Sequence, residues 1–107
     1  MLFKNLTPHA VKIVSGETVT VIPPSGVEAR VSATDRLVEV VDGIPLFETS
    51  FGEVTGLPDA EDGVTLIVSA LVVSAAPERT DLRSPAKLIR DFSGAVIGCA
   101  GLTRPAR

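Results

Sequence analysis

The stretch that decides the fold runs from Gly63 to Ser84 and reads GVTLIVSALVVSAAPERTDLRS. It opens with a run from Val64 to Val68 that has no polar face. A short run of this kind is typical of a strand that is covered on both sides. The chain after it contains small residues and then a polar loop, so a buried strand is expected to lead directly into a polar surface.

The segment after Ser69 has two readings. Val72 and Val73 lower the helix propensity, and one long strand from Val64 to Ala75 is an open alternative. Alanine and leucine are frequent in the same segment, however, and Ser69 is a suitable N-cap. We favour a short helix that begins after Ser69 and ends before Pro77.

Length and composition limit the class of protein. A chain of 107 residues with 45% hydrophobic residues predicts one folded domain over residues 1–107. Aromatic residues make up 4%, all of them Phe, which argues against stacking platforms for single-stranded nucleic acid. The core is therefore expected to consist of Val, Ile, Leu and Ala, a composition that favours sheet.

Charge is distributed unevenly along the chain. Residues 1–63 contain four basic and ten acidic side chains, whereas residues 64–107 contain six basic and three acidic ones. A net charge of −3 is unfavourable for binding duplex nucleic acid, which depends on many cationic contacts to phosphate. The arginines of the second part remain suited to one small anion, although a solvated surface explains them equally well.

Catalytic and metal-binding patterns are sparse. His9 is the only histidine and Cys99 the only cysteine, which excludes a multi-histidine metal site and an internal disulfide. No GxSxG, GxxxxGK[ST] or GxGxxG pattern occurs, so we expect neither an enzyme nor a cofactor. Cys99 lies in an apolar string and is expected to be a buried small residue. Without a long apolar segment or a signal peptide, a cytoplasmic protein without membrane association is expected.

Turn signals divide the chain into short strands. Gly, Pro, Ser and Asp clusters separate runs rich in β-branched residues, and Asp42-Gly43 is a tight-turn pair. The run after Pro23-Pro24-Ser25-Gly26 alternates best. The expected strands are Leu2–Leu6, Val11–Val14, Thr18–Ile22, Val27–Ala33, Leu37–Val41, Ile44–Thr49, Val64–Val68, Lys87–Asp91 and Ala95–Ala100, with a loop over residues 50–62 and a frayed tail over residues 103–107. This order predicts an α+β domain, a small, mostly antiparallel β-sheet or barrel-like fold with one short helix.

Several motifs are spread along this pattern. They are Asn5-Leu-Thr-Pro-His9, Pro24-Ser-Gly26 with Ala29-Arg30, Phe51-Gly-Glu-Val54 with Gly56-Leu-Pro58, Ile67-Val-Ser-Ala-Leu71, the segment Arg79–Asp81, and Arg90-Asp91. Together they resemble a family of small uncharacterised proteins of phages, prophages and bacteria, over nearly the whole chain. The resemblance implies a phage-associated setting and does not imply an activity.

Two groups of polar residues are candidates for binding a ligand. The first group consists of Ser69, Arg79, Asp81 and Arg83. A helix N-terminus at Ser69 and the two guanidinium groups would hold an anion. Asp81 would orient one of the arginines or accept a hydrogen bond from a ribose hydroxyl. Asn5, Thr7 and His9 form the second, beside the turn at Pro8. Asn and Thr in a turn also commonly satisfy local backbone groups, which is the structural alternative for the second group.

Two functions remain open from the sequence. The first is a non-catalytic binder of a small anionic or nucleotide-like ligand, which in a phage setting would sequester a nucleotide-derived immune signal of the host. The second is a protein-interaction module, either an inhibitor of a host enzyme or a minor virion or assembly protein. A short chain with several exposed strand edges is also expected to form a homo-oligomer.

Overall fold

The computed structural model describes residues 2–106, and these form eight strands and one helix. The elements in chain order are β1 (Leu2–Asn5), β2 (Val11–Ser15), β3 (Thr18–Ile22), β4 (Arg30–Val41), β5 (Ile44–Thr55), β6 (Val64–Ile67), α1 (Ala70–Ala75), β7 (Leu82–Arg90) and β8 (Val96–Thr103). The protein is thus mostly β-sheet with one short helix.

Six of the strands form one curled sheet in the order β1-β6-β7-β8-β2-β3. The strand pairs β1–β6, β6–β7 and β2–β8 are parallel, whereas β2–β3 and β7–β8 are antiparallel. The sheet curls into a half-barrel, and its two ends meet where the Ser25 backbone N–H donates to the Asn5 carbonyl oxygen at 2.9 Å.

Strand β6 is buried on both faces of this sheet. Leu66 and Val68 belong to a core cluster that contains Val72 of α1, whereas Ile67 belongs to a second cluster with Cys99. Ile67 and Val68 have no exposed surface. The strand predicted from the run without a polar face is therefore confirmed, and Cys99 is a buried residue as expected.

The helix predicted after Ser69 is also confirmed. The Ser69 hydroxyl accepts a hydrogen bond from the Val72 backbone N–H at 3.3 Å, as an N-cap does. Helix α1 connects two parallel neighbouring strands, so it leads the chain back from the C-terminal end of β6 to the start of β7. Ser69 and the polar loop after α1 consequently lie at opposite ends of the helix.

Strands β4 and β5 form a separate two-stranded sheet, which we call the arm. Its turn is Asp42-Gly43, where both residues have positive φ, 51° and 77°. Two such residues are the requirement of a tight type I′ hairpin turn, so the turn predicted here is confirmed. Only Val31 and Val54, at the base of the arm, are even partly buried.

The arm is longer than the sequence predicts. The predicted loop over residues 50–62 is wrong at its start, because β5 continues to Thr55. The predicted strand Val27–Ala33 is also shifted: Val27 is exposed and β4 begins at Arg30. Ala29 instead donates its backbone N–H to the Leu6 carbonyl oxygen, which ties the segment before β4 to the end of β1.

Pairing within the curled sheet differs from the expectation of mostly antiparallel neighbours, because three of its five pairs are parallel. The closing hairpin is present with longer strands, Leu82–Arg90 and Val96–Thr103, so Thr103 belongs to a strand rather than to a frayed tail. Arg107, also in that predicted tail, lies outside the described residues. Among residues 2–106, no helix is long and apolar enough to span a bilayer.

Candidate functional site

Asn5 links three parts of the chain. Its amide nitrogen donates to the carbonyl oxygens of His9 and Ile22 at 2.8 and 2.9 Å. Its Oδ1 accepts from the Thr7 backbone N–H at 3.0 Å and lies 2.6 Å from the Thr7 hydroxyl. A primary amide offers two donors and two acceptor positions, so the Asn5 side chain, 1% exposed, is fully occupied within the chain.

This arrangement shapes the turn that follows β1. The Thr7 hydroxyl also lies 2.9 Å from the His9 carbonyl oxygen, so the side chains of Asn5 and Thr7 both contact the backbone of the turn at His9. The His9 ring is exposed at the end of the turn. Of the three residues predicted here, Asn5 is buried in the turn, whereas Thr7 and His9 reach a surface cleft.

That cleft lies along β2 and β8 and has a volume of about 480 Å³. Thr7, His9 and Ser69 contribute its polar groups, together with Lys12 of β2. Its apolar wall consists of Leu88, Val96 and Ile97, side chains that are about half exposed. We call this the β2–β8 cleft, and its volume lies within the range of about 300–1,000 Å³ that is usual for small-ligand sites.

A second groove, of about 390 Å³, adjoins the cleft. Thr7 and Ser69 line both cavities, so these two side chains lie on the border between them. Arg30 lines this second groove and forms an ion pair with Glu28, with Nη2 2.8 Å from Oε2. The hydrogen bond to Glu28 raises the pKa of the exposed Arg30 guanidinium.

Arg79 and Asp81 form a bidentate ion pair away from the cleft. Arg79 Nε and Nη2 donate to the two Asp81 carboxylate oxygens at 2.9 and 2.7 Å, and Nη2 also donates to the Pro58 carbonyl oxygen at 2.8 Å. The two side chains are 20% and 13% exposed. The hydrogen bond from Arg79 lowers the pKa of Asp81, and the same contact raises the pKa of Arg79. The pair therefore holds the loop after α1 against the segment that follows β5.

Strand register separates this pair from Ser69. The Leu66 backbone N–H donates to the Asp81 carbonyl oxygen at 2.9 Å, which places the Asp81 backbone beside Leu66 of β6. Ser69 follows Leu66 by three residues, or roughly 10 Å along an extended chain. Arg79 lines neither of the two cavities that Ser69 lines, and its guanidinium instead contacts Asp81 and the Pro58 carbonyl oxygen.

Arg83 lies in a third cavity, of about 260 Å³, with Arg104, Thr65 and Phe3. Its Nη1 donates to the carbonyl oxygens of Thr80 and Leu82 at 3.1 and 2.8 Å, which fixes the guanidinium against the backbone of its own loop. Apart from the buried Asn5, the structure therefore divides the predicted residues among three places. Thr7, His9 and Ser69 share the β2–β8 cleft, Arg79 pairs with Asp81, and Arg83 lies elsewhere.

Two cationic residues at the cleft and its groove were not among the predicted ones. Lys12 belongs to a strand whose weak alternation gives no sign of a site. Arg30 lies in the predicted strand Val27–Ala33, and only its position beside Thr7 and Leu71 in space reveals the groove. Their proximity to Ser69 depends on long-range pairing that the local sequence does not encode.

Comparison with known proteins gives no match: no family model, no curated protein and no solved structure is detectably similar to this chain. The resemblance to small phage and prophage proteins thus stays a prediction from the motifs. Among residues 2–106, no three His, Cys, Asp or Glu side chains come together as a potential metal-binding group.

Proposed function

We propose that the chain is a non-catalytic, phage-associated binding protein that sequesters a small anionic, nucleotide-like ligand. The observation that carries the proposal is the β2–β8 cleft, where an apolar wall, three polar residues and a lysine converge. Thr7, His9 and Ser69 were selected from the sequence as ligand-binding residues, and all three line this one cavity.

The chemistry of the cleft suits a nucleotide. A nucleobase has two apolar faces, which Leu88, Val96 and Ile97 can cover, and polar edges, which Thr7 and His9 can contact. The ammonium group of Lys12 offers a point charge to a phosphate. Arg30, in the adjoining groove, supplies a second cation for a ligand that extends past Thr7 and Ser69.

Binding without turnover is the mode that these side chains favour. The Ser69 hydroxyl accepts from the backbone of α1, and the Thr7 hydroxyl is engaged by Asn5 and the His9 carbonyl oxygen. Neither hydroxyl forms a hydrogen bond with the His9 ring, which would be needed to activate it as a nucleophile. The further step, that the ligand is a nucleotide-derived immune signal of the host, rests on the resemblance to phage proteins.

The test is a panel of cyclic dinucleotides and ADP-ribose derivatives, measured by thermal unfolding. A ligand at 100 times its dissociation constant stabilises by about 2.7 kcal/mol. For a domain of this size that raises the melting temperature by roughly 10–20 °C. The ligand recovered after denaturation is expected to be chemically unchanged by mass spectrometry, because the protein holds it and does not convert it.

Matched variants locate the site. Lys12→Gln is expected to weaken binding about tenfold or more, because it removes the cation of the cleft. Lys87→Gln removes another exposed lysine, one that does not line the cleft, and it is expected to bind as the wild type does. Equal affinity of the two variants would move the site elsewhere. Arg79→Gln, tested beside them, decides whether Arg79 takes part, as the sequence predicts.

A second candidate function is that of a protein-interaction module, either an inhibitor of a host enzyme or a minor virion or assembly protein. The observation that favours it is the arm, whose strands expose apolar side chains over most of their length. No stabilisation by any nucleotide, together with specific co-purification of one host protein, would support this function over the first.

A further inference from the structure

The arm extends far beyond the body of the protein. Its strands have twelve residues each, a length of roughly 40 Å in extended chain. The radius of gyration is 16.3 Å, whereas about 13 Å is expected for a compact domain of this length. The chain therefore places about a quarter of its residues in a ribbon that the body covers only at its base, at Val31 and Val54.

One face of the arm is apolar along its length. Register places Ala33 opposite Phe51, Leu37 opposite Phe47, and Val40 opposite Pro45, and these pairs share one face. We call it the phenylalanine face. Leu37, Val40 and Phe47 are 54%, 59% and 53% exposed.

Among the register pairs from Ala33–Phe51 to Val40–Pro45 on this face, one residue is charged. Asp35 lies between the two phenylalanine-containing pairs, and its carboxylate accepts from the Thr49 hydroxyl at 2.6 Å. The opposite face carries the ion pair of Arg36 and Glu48 at mid-strand, with Nη2 3.6 Å from Oε1. The two faces of the ribbon thus differ, and only the phenylalanine face has the character of an interface core, which is depleted in charge and enriched in aromatic residues.

The exposed area is larger than a monomer of this mass requires. The chain exposes 7370 Å², whereas about 5,700 Å² is expected for a monomeric protein of 11.1 kDa. The surplus is about 1,700 Å², twice the roughly 800 Å² that each partner buries in a standard interface.

We infer that the phenylalanine face is a homodimer interface, in which the arm of one chain packs against the same face of the arm of a second copy. An isolated two-stranded ribbon is marginally stable in water, so the arm needs a cover whenever the chain is folded. A second copy is present wherever the chain is made. A face with a single, internally bonded carboxylate complements an identical face better than it complements a strongly charged partner.

Light scattering after size exclusion tests this interface at micromolar concentrations, with no ligand present. The wild type is expected at twice 11.1 kDa or a higher even multiple. Phe47→Asp places a carboxylate at the centre of the face and is expected to raise the dissociation constant about 30-fold or more, as loss of a central aromatic anchor does. Ser50→Asp introduces the same charge on the opposite face and is expected to keep the mass of the wild type.

A measurement on the wild type covers the case in which Phe47→Asp does not fold. Backbone amides of residues 30–55 are expected to be protected from hydrogen exchange at high concentration and to lose that protection on dilution, while amides of β6 stay protected throughout. A wild-type mass of 11.1 kDa, or equal masses of Phe47→Asp and wild type, would overturn the inference. Protection of residues 30–55 that does not change on dilution to the monomer would do so as well.

Discussion

Replacing Asn5 by alanine tests how strongly the two ends of the curled sheet are joined, where the end of β1 meets the segment after β3. The side chain makes four hydrogen bonds, and each contributes about 1 kcal/mol net. After truncation, the Thr7 hydroxyl can turn fully to the His9 carbonyl oxygen, which it already approaches at 2.9 Å. About three bonds are then lost without replacement, so Asn5→Ala is expected to lower the free energy of unfolding by about 3 kcal/mol.

The assay is urea unfolding followed by circular dichroism at one fixed protein concentration. A loss of about 3 kcal/mol is a large part of the roughly 5–15 kcal/mol that stabilises a domain, and it lowers the melting temperature by roughly 12–24 °C. Thr7→Val keeps the shape of its side chain and is expected to cost about 1 kcal/mol. Thr18→Ala, at an exposed position of β3, is expected to cost at most about 0.5 kcal/mol.

Two results would refute this reasoning. If Asn5→Ala unfolds within 1 kcal/mol of the wild type, the amide is not the link between β1, the turn and β3 that its contacts indicate. If Thr7→Val costs as much as Asn5→Ala, the stability resides in the threonine hydroxyl instead. Asn5→Asp refines the test, since a carboxylate oxygen would face two carbonyl oxygens and should destabilise more at neutral than at acidic pH.

Further predictions concern the ion pair, the helix cap and two glycines. Because Arg79 lowers the pKa of Asp81, the pair stabilises the fold above the ordinary carboxyl value of 3.8 and loses this contribution as the pH falls through the lowered pKa. In Asp81→Asn, the urea midpoint should change less with pH over that acidic range than it does in the wild type, and an unchanged pH profile would contradict the assignment. Ser69→Ala should cost about 1 kcal/mol of unfolding free energy, since it removes the N-cap acceptor, and no loss would show that the cap is dispensable. Gly56 and Gly63 both have φ of +76°, but a Cβ would collide with a backbone carbonyl oxygen only at Gly56. Gly63→Ala should therefore cost about 1–2 kcal/mol and Gly56→Ala clearly more, measured by the same unfolding assay, with equal losses as the contrary result.

Local signals account for the elements that the sequence predicts well. The run of β6 has no polar face, so it predicts a strand that is buried on both sides. Asp42-Gly43 satisfies the backbone requirement of one turn type. Ser69 supplies the hydroxyl that starts α1, which decides between the helix and the long strand. In each case the determining interaction lies within a few residues of the chain.

Non-local contacts account for what the sequence did not predict. Gly52 and its neighbours appear loop-like because glycine weakens a strand, but a register shift between Val31 and Ala33 places Gly52 against Ser32, where a Cβ would overlap the serine side chain. The parallel pairing of β2 with β8 joins residues more than eighty positions apart. No turn or periodicity signals such a pairing.

The candidate site shows the same difference between local signals and non-local contacts. Thr7 and His9 were selected beside a turn and Ser69 at a helix N-terminus, and the three share one cleft. Arg79 and Asp81 were also selected by type, yet the Pro58 carbonyl oxygen that helps hold Arg79 comes from a segment 21 residues earlier. The sequence thus indicates what each side chain can bind, whereas the group that it contacts depends on the completed fold.

The position of β8 has a consequence for synthesis of the chain. This strand lies between β7 and β2, although β2 is made more than eighty residues before it. On the ribosome, the emerging β2–β3 hairpin can pair with itself and contact the end of β1, but the other edge of β2 has no partner until residues 96–103 have left the exit tunnel. The two strand pairs that contain β8 must therefore form after translation of that segment, and until then the unpaired edge of β2 is exposed to pairing with other chains.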